Sequence, residues 1–523
     1  MKNILLAGIC LFSSILNAQL TGSEWIDFTK PHLKYKTDQE ELVRINFFAA
    51  ELGLLKLGTR IQSVPMDKYR VFSHGQQIPL LITDLNKNNT WDPDDYIEFV
   101  THKEDGHFDS LLYEDKRHQR HKLQSMYTDF RAYYLTYRDN GVQAKYSNAT
   151  ATPPSTDPPK ASHQSVVTQF GDDLYFSGKL IFLGGTAASL SDYTFGEGFY
   201  GPRLNVPRTS IPAGFRADSS KPMITIPIIA PEIDSSGFKP TITVGTVNSI
   251  AYYSFFSHWL IYKVSPNGSS NNRRIGDTIT KQNVHVVQSL DLKASDFDSD
   301  GLMLQLYNAP LNSYPINFLP GYGFSHISLK YPRKYKLKGL ESYSYLEEKN
   351  SENTNITWTG YGNGSKSNPL VFDEVNHLFF EPAYDNIDQK FSYTLPVRAQ
   401  SGNIFIGDKS STKLISVNDI HIVNWPNYSE HINNTDFIIV TDSALLDGKG
   451  TMDEYVNFKQ AQFSHPVRLL FDDNLYDAFS YGINHPLAIR NYCKYLLDNS
   501  TTVKPKYLFL LGRGFEPIFN RGL

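Results

Sequence analysis

The segment from Asp84 to Asp95 carries oxygen-bearing side chains at the spacing of a calcium-binding loop. Calcium binds about six to eight oxygen ligands on a tight turn, supplied from positions one, three, five, seven, nine and twelve. Position six holds Asn89 where Gly is usual, although Asn also tolerates the left-handed conformation. A polar hairpin turn accounts for this segment better, and a calcium site is the alternative that the pattern indicates. The six positions hold Asp84, Asn86, Asn88, Thr90, Asp92 and Asp95.

A second acidic segment opens with the D-x-D-x-D-G pattern of the same kind of loop. Its candidate ligands are Asp296, Asp298 and Asp300, followed by Gly301. The twelfth position is Tyr307, which has no carboxylate, and the residues after Gly301 alternate like a strand. A plain acidic turn accounts for this segment better, with calcium as the alternative. Calcium at these two loops is the only cofactor that the sequence suggests.

Cys493 is the one cysteine outside the N-terminal apolar segment. Cysteine catalysis needs a thiolate, a nearby imidazole and donors for an oxyanion. Cys493 follows a helix start at Pro486, where proline is well tolerated, and no neighbour in the sequence would lower the pKa of its thiol. We therefore predict that Cys493 packs in the core and that His485 shapes the start of the helix. No catalytic residue is predicted within the chain.

The formal charges nearly cancel, with 50 Lys and Arg against 54 Asp and Glu and a net charge of −4. This balance excludes the strongly basic surface that nucleic acid or an anionic membrane requires. One loop rich in charged residues also holds four histidines, which lack the spacing of a zinc site. They are predicted to lie on a solvated surface: His102, His107, His118 and His121.

Residues 1–18 have the pattern of a secretory signal peptide, with cleavage expected after Ala18. An early Lys precedes an apolar run that is too short to span a bilayer, and no later segment has a transmembrane pattern. Removal of the signal leaves Cys493 alone, so no internal disulfide can form. A large exported chain without disulfides indicates a bacterial cell surface, outer membrane-associated or secreted location.

The region 431–523 alternates continuous apolar runs with helical patterns, which indicates a parallel sheet covered by helices on both faces. Gly512-Arg-Gly514 follows the third run, where open α/β sheets place their ligand crevice. Three strands make a small sheet for such a fold, so this α/β domain is expected to be incomplete. The predicted strands are Asp436–Thr441, Pro466–Phe471 and Lys506–Leu511, and the predicted helices are Thr451–Phe463 and Pro486–Asp498.

A chain of 523 residues is too long for one core and suggests three or so domains. Short alternating runs predict two β-rich, sandwich-like domains at 19–146 and 166–430. Residues 147–165 are rich in Pro, Ser and Thr and are predicted to form a linker. Helical periodicity is nearly absent before Thr451, so the fold class is mainly β followed by α/β. The clearest N-terminal strands are Arg44–Phe48, Tyr69–Phe72, Tyr96–Val100 and Ala132–Tyr137.

Seven stretches occur in an order that matches one known family. They are Asp94–Phe99, Tyr193–Gly198, Ile327–Arg333, Asp436–Asp442, Tyr455–Lys459, Ser480–Arg490 and Pro505–Gly512. The chain resembles the gingipain-type cysteine peptidases, which include the surface sortase of the type IX secretion system. The resemblance implies a caspase- or gingipain-like α/β domain and an endopeptidase that removes the sorting signal of secreted proteins. It also implies protein substrates or secretion-system components as partners.

Two departures limit what the resemblance implies. The family has an acidic residue where Arg513 stands, and its catalytic His and Cys follow in later stretches that this sequence does not contain. We therefore expect an exported fragment without peptidase activity of its own. The alternative is a non-enzymatic cell-surface module whose β domains bind or scaffold a partner. A β-sandwich glycoside hydrolase is a weaker third, because no spacing singles out an acid and a nucleophile.

Overall fold

The computed structural model shows a mainly β protein, which confirms the predicted fold class. The described part divides into two compact units. The larger unit contains residues 32–71 and 77–422, and the smaller unit contains residues 21–31, 72–76 and 423–512. The described residues are 21–120, 122–150, 156–171, 174–176, 180–183, 186–189, 193, 197–201, 224–249, 257–264, 272–280, 284–298, 301–309, 321–337, 339, 342–362 and 367–512. The predicted signal peptide therefore lies outside them.

The N-terminal region of the larger unit forms two sheets, and each of them also receives one strand from later in the chain. Three of the four predicted strands match observed strands to within one residue. The elements are β1 (His32–Thr37), β2 (Leu42–Asn46), α1 (Phe47–Lys56), β3 (Tyr69–Ser73), β4 (Gln76–Gln77), β5 (Leu81–Thr83), β6 (Tyr96–Val100), β7 (Arg131–Tyr137) and β8 (Ser147–Asn148).

Helix α1 takes the last two residues of the predicted strand Arg44–Phe48, and it is the one α-helix of the described residues before Thr451. The strand ends at Asn46, whose side-chain oxygen accepts the backbone N–H of Ala49 at 2.9 Å. An Asn in this position satisfies an otherwise unpaired donor and starts the helix. The helix then buries Leu54 in the core, which gives it a tertiary reason to persist.

The middle of the chain is almost entirely β. Its strands are β9 (Ser162–Phe170), β10 (Leu174–Phe176), β11 (Leu180–Leu183), β12 (Thr186–Ser189), β13 (Gly198–Tyr200), β14 (Ile224–Ile229), β15 (Thr241–Ser249), β16 (Ser257–Val264), β17 (Arg273–Thr280), β18 (Val284–Asp291), β19 (Gly301–Ala309), β20 (Gly321–Lys334), β21 (Ser342–Glu347), β22 (Thr354–Thr359), β23 (Pro369–Asp373), β24 (Leu378–Phe380), β25 (Ala383–Asp385), β26 (Lys390–Leu395), β27 (Gly402–Asp408), β28 (Lys413–Ile415) and β29 (His421–Val423). The largest sheet has nine strands in the order β18-β15-β20-β9-β21-β27-β23-β24-β8.

Strands from both predicted β domains share sheets. The N-terminal sheets have the orders β29-β1-β7-β3-β4 and β28-β2-β6-β5, and β28 pairs in parallel with β2. The predicted linker 147–165 is strand at both of its ends, because β8 pairs with β24 and β9 begins at Ser162. A buried cluster that includes Leu42 and Phe405 crosses the same boundary. The boundaries of the predicted domains stay a prediction.

The smaller unit is built on a three-stranded parallel sheet with the order β31-β30-β32. Ile438 and Val440 pack on one face with the pair α3 and α4, while Phe437 and Ile439 lie in a separate cluster on the other face. The observed strands lie within one residue of the predicted ones, and α3 was not predicted. The elements are β30 (Phe437–Thr441), α2 (Thr451–Gln460), β31 (Val467–Phe471), α3 (Asp472–Phe479), α4 (Leu487–Asn499) and β32 (Tyr507–Leu511).

The segment 21–31 packs on this α/β layer. Gly22 has a φ of +91°, and a Cβ there would lie 2.7 Å from the carbonyl oxygen of Phe479. Trp25 meets Phe72 and Trp425 at ring-centroid distances of 5.3 and 6.5 Å. The close backbone approach at Gly22 therefore needs a residue without a side chain.

Candidate functional site

The carboxyl ends of the three parallel strands gather acidic side chains at one edge of the sheet. Asp442 follows β30 and accepts the backbone N–H of Ala444 at 2.8 Å, which starts a short 3-10 turn. Asp472 follows β31, and burial raises the pKa of its carboxyl, with the charges of Asp442 and Asp473 adding to the effect. This edge is where an open α/β sheet places its ligand crevice. Gly512 follows β32, while Arg513 and the rest of the predicted Gly512-Arg-Gly514 stretch lie outside the described residues.

Cys493 lies on α4 and is half-buried against the core of the smaller unit. Burial raises the pKa of its thiol above the ordinary value, and among the described residues no charged group contributes to this shift. A protonated, half-buried thiol is a packing group and a poor nucleophile. The structure therefore confirms that Cys493 is half-buried packing, while the absence of a catalytic role stays a prediction.

His485 shapes the start of α4, as predicted. It is 1% exposed, and its Nδ1 accepts the backbone N–H of Leu487 at 3.1 Å. Its carbonyl oxygen accepts the N–H of Ala488 at 3.0 Å. Asn491 on the same helix donates from Nδ2 to the carbonyl oxygen of Phe479 at 2.9 Å, which ties α4 to α3.

The first predicted calcium loop folds as a compact turn held by its own hydrogen bonds. The Asp84 carboxylate accepts the backbone N–H groups of Asn88 at 3.2 Å and Asn89 at 2.8 Å. Asp95 is 2% exposed, and its carboxylate accepts the backbone N–H of Asp92 at 2.9 Å. Asn89 has a φ of 58°, so the sixth position does adopt the left-handed conformation.

The amides of this loop are turned away from the orientation that a cation needs. Asn86 and Asn88 both point their NH2 groups at Oδ2 of Asp92, at 2.9 and 2.8 Å. These hydrogen bonds hold the pKa of Asp92 below its usual value. A cation would require the amide oxygens instead, so its binding would turn both amides over. Calcium at this loop stays a prediction.

The second acidic segment already forms an ion pair with an arginine side chain. The Asp296 carboxylate forms an ion pair with the Arg273 guanidinium and accepts the backbone N–H of Lys293 at 2.8 Å. The backbone N–H of Asp298 donates to the carbonyl oxygen of Gly301 at 2.8 Å, which closes the turn before β19. Asp300 lies outside the described residues. These contacts are those of the acidic turn, and calcium here also stays a prediction.

Sequence reasoning missed the role of His102. Its Nδ1 lies 2.9 Å from Oε1 of Glu40 and its Nε2 lies 2.9 Å from Oε2 of Glu374. Burial alone would lower the pKa of His102, but the hydrogen bonds and charges of Glu374 and Glu40 outweigh it and raise the pKa to about 9. The prediction of a solvated surface is therefore wrong for His102. It fits His107, whose side chain is 62% exposed, while His121 lies outside the described residues.

The structure brings together few of the groups that metal or membrane chemistry would need. In the described ranges, no three His, Cys, Asp or Glu side chains are grouped so that they could hold a metal ion. No helix found there combines the length and the apolar character required to cross a membrane.

The contacts of His102 with Glu40 and Glu374 join positions that lie 62 and 272 residues apart in the sequence, so no local spacing could have revealed them.

The α/β layer matches the model of a known protein family. Residues 431–517 match the model of peptidase family C25, the gingipain family, which confirms the predicted resemblance. The chain is also similar to the crystal structure of dimeric latent PorU from Porphyromonas gingivalis, with 12% sequence identity and a TM-score of 0.54. That match covers 94% of this chain and 42% of the PorU chain, so this chain spans less than half of PorU. At this identity the similarity shows a shared fold.

Two further matches, both to viral structures, are too weak to show a shared fold. The VP2 subviral particle of infectious bursal disease virus matches with 9% identity and a TM-score of 0.19, covering 72% of this chain and 62% of that chain. The T=1 particles derived from the same virus match with 8% identity and a TM-score of 0.20, covering 72% and 60%. No curated protein matches the chain.

Proposed function

We propose that the chain is an exported, gingipain-like peptidase of the sortase type, directed at the sorting signals of proteins secreted by the type IX system. Support comes from the match of residues 431–517 to peptidase family C25 and from the PorU-like fold of the chain. Because the chain spans 42% of the PorU chain, the substrates and partners of a whole enzyme belong to this proposal as well. The same proposal places the mature chain at the bacterial cell surface.

We also propose that residues 19–523 alone do not cleave peptide bonds. The observation that carries this is the Cys493 thiol, whose pKa burial raises and which therefore stays protonated near neutral pH. Peptidase chemistry would require the opposite shift, produced by a nearby imidazolium or an equivalent positive charge.

The test is a peptidase assay on purified residues 19–523, with fluorogenic peptides that end in Arg, in Lys or in an apolar residue. We expect no turnover, and no difference between the wild type and Cys493→Ala. Cleavage by the wild type that disappears in Cys493→Ala would refute the proposed inactivity. Cleavage that persists in Cys493→Ala would point to a contaminating peptidase. The assay would then be repeated after further purification.

The gene itself tests the sortase assignment. Genomic DNA past codon 523 that continues the frame with a Gly-His-Gly stretch and a later Cys would support the sortase assignment. A frame that stops there would favour the second function, a non-enzymatic surface module. That second function is supported by a cleft between two open strand edges of the larger unit, which is lined by both apolar and charged side chains.

A further inference from the structure

Two strands of the larger unit separate like a fork. Leu80 pairs in parallel with Lys145, and its N–H donates to the carbonyl oxygen of Ala144 at 3.1 Å. Its own carbonyl accepts the N–H of Tyr146 at 2.8 Å. Beyond this point β5 joins the sheet of β6, whereas β8 joins the sheet of β24. Among the described residues each of the two is the last strand of its sheet, so each has one edge that no described strand pairs with.

A cleft of about 530 Å³ lies between these two edges. Leu81, Ile82, Tyr146 and Phe379 give it an apolar base, and Ser147 and Asn148 belong to the edge strand on one side. This volume falls within the range of about 300–1,000 Å³ that ligand sites have, and it would take a few residues of an extended chain.

The main chain of β8 offers a donor to this cleft. The N–H groups of Ser147 and Ala149 donate to β24 and the residues beside it, to the carbonyl oxygens of His377 and Phe379 at 2.9 Å each. Because successive N–H groups of a strand point to opposite sides, the N–H of Asn148 points away from β24, towards the cleft. An added strand would use this group, as extended peptides do at open sheet edges.

The rim of the cleft is acidic on one side. Asp67 is exposed, and its carboxylate accepts Nδ2 of Asn89 at 3.2 Å. Asp84 accepts the backbone N–H groups of Asn88 and Asn89, and neither carboxylate forms an ion pair among the described residues. Lys145 lies at the base of the fork. A cationic side chain of a ligand would therefore meet two carboxylates, those of Asp67 and Asp84, that form no ion pair among the described residues.

We propose that this cleft binds an extended polypeptide segment as an added strand, with apolar side chains on Tyr146 and Phe379 and a Lys or Arg at Asp67 and Asp84. A main-chain donor at Asn148 favours a peptide over a glycan, because a glycan cannot continue a strand ladder. The cleft would hold such a segment whether or not the chain takes part in proteolysis, so the two proposals stand or fail separately.

The test uses residues 19–523 and a fluorescein-labelled peptide with the sequence Val-Lys-Val-Lys-Val. Its control has the same side chains but N-methyl groups on the two lysine amides, which removes donors that strand pairing needs. We expect saturable binding of the first peptide by fluorescence polarisation, binding at least tenfold weaker for the second, and slower hydrogen exchange at the Asn148 amide.

Three variants locate the site. Ser147→Trp should fill the cleft and abolish binding. Asp67→Asn should weaken binding about fivefold, the effect of about 1 kcal/mol for a charge pair in water. Asp94→Asn, the matched control outside the cleft, should bind like the wild type.

Equal binding of the two peptides, or unchanged exchange at Asn148, would overturn strand addition. Binding of cellopentaose with protection of Asn148, and no binding of the peptide, would replace the peptide by a glycan and overturn the proposal. Should Ser147→Trp fail to fold, the N-methylated peptide and Asp67→Asn still decide, because the first leaves the protein unaltered and the second changes one exposed side chain.

Discussion

The imidazolium of His102 should make the stability of the larger unit depend on pH. Its pKa is raised from 6.5 to about 9 in the folded chain, so the folded state holds the proton more tightly than the unfolded state. The stabilisation is fully present below pH 6.5 and is lost as the pH rises through about 9. His102→Gln keeps a hydrogen-bonding side chain between Glu40 and Glu374 but removes the charge.

The magnitude follows from the shift. A rise from 6.5 to about 9 corresponds to about 3 kcal/mol of unfolding free energy, at about 1.4 kcal/mol for each pKa unit. The side chains of His102 and Glu40 are 23% and 42% exposed, so solvent screening reduces the contribution to about 2 kcal/mol. We expect His102→Gln to cost about that much at pH 6 and close to nothing at pH 9.5.

Urea denaturation at several pH values from 6 to 9.5 measures this difference. His107→Gln is the matched control, because the His107 side chain is 62% exposed and should show no such change with pH. A cost of His102→Gln that stays constant across this range would refute the reasoning. So would an NMR titration that places the pKa of His102 at or below 6.5.

Three further changes test other parts of the fold. Arg398→Met should lower the free energy of unfolding by about 3–5 kcal/mol in urea denaturation, because it leaves the Asp373 carboxylate without its ionic partner. That carboxylate is 0% exposed and lies 2.5 Å from Arg398 Nη1. A loss below about 1 kcal/mol would contradict this. Gly22→Ala should lower the thermal stability of the smaller unit by more than Gly448→Ala, which lies in the same unit and shares a positive φ but has nothing within 4 Å of its added Cβ; equal losses would show that the close contact does not matter. Calcium at a hundredfold excess over its dissociation constant should stabilise the chain against EDTA by about 2.7 kcal/mol, and Asp92→Asn should remove this effect; an unchanged melting curve would exclude the loop as a calcium site.

The parallel strands could be predicted because continuous apolar runs require burial on both faces. Ile438, Ile439 and Val440 are all buried, and the predicted limits of all three strands fall within one residue of the observed ones. Helix α3 was missed because it starts directly after β31, with no loop residue between Phe471 and Asp472. Helix α1 was missed because the apolar Phe47 and Phe48 continue the pattern of the preceding strand, and the capping role of Asn46 is visible only in its contacts.

The candidate site was predictable only in part. Local features, such as the helix start at His485 and the packing of Cys493, depend on neighbours in sequence and were foreseen. The bridge of His102 to Glu40 and Glu374 depends on strands that come together from distant positions. The cleft at Leu80 depends on where two sheets separate, which strand order decides and composition does not.

Strand β32 has a practical consequence for anyone who handles this chain. In the described part it pairs with β30 alone, and Tyr507, Leu508 and Leu510 are 53%, 46% and 58% exposed. An apolar strand with a free edge is a template on which other copies can stack. Concentrated samples should therefore turn turbid on standing, with a lag that shortens when preformed seeds are added, and dilute samples should keep longest.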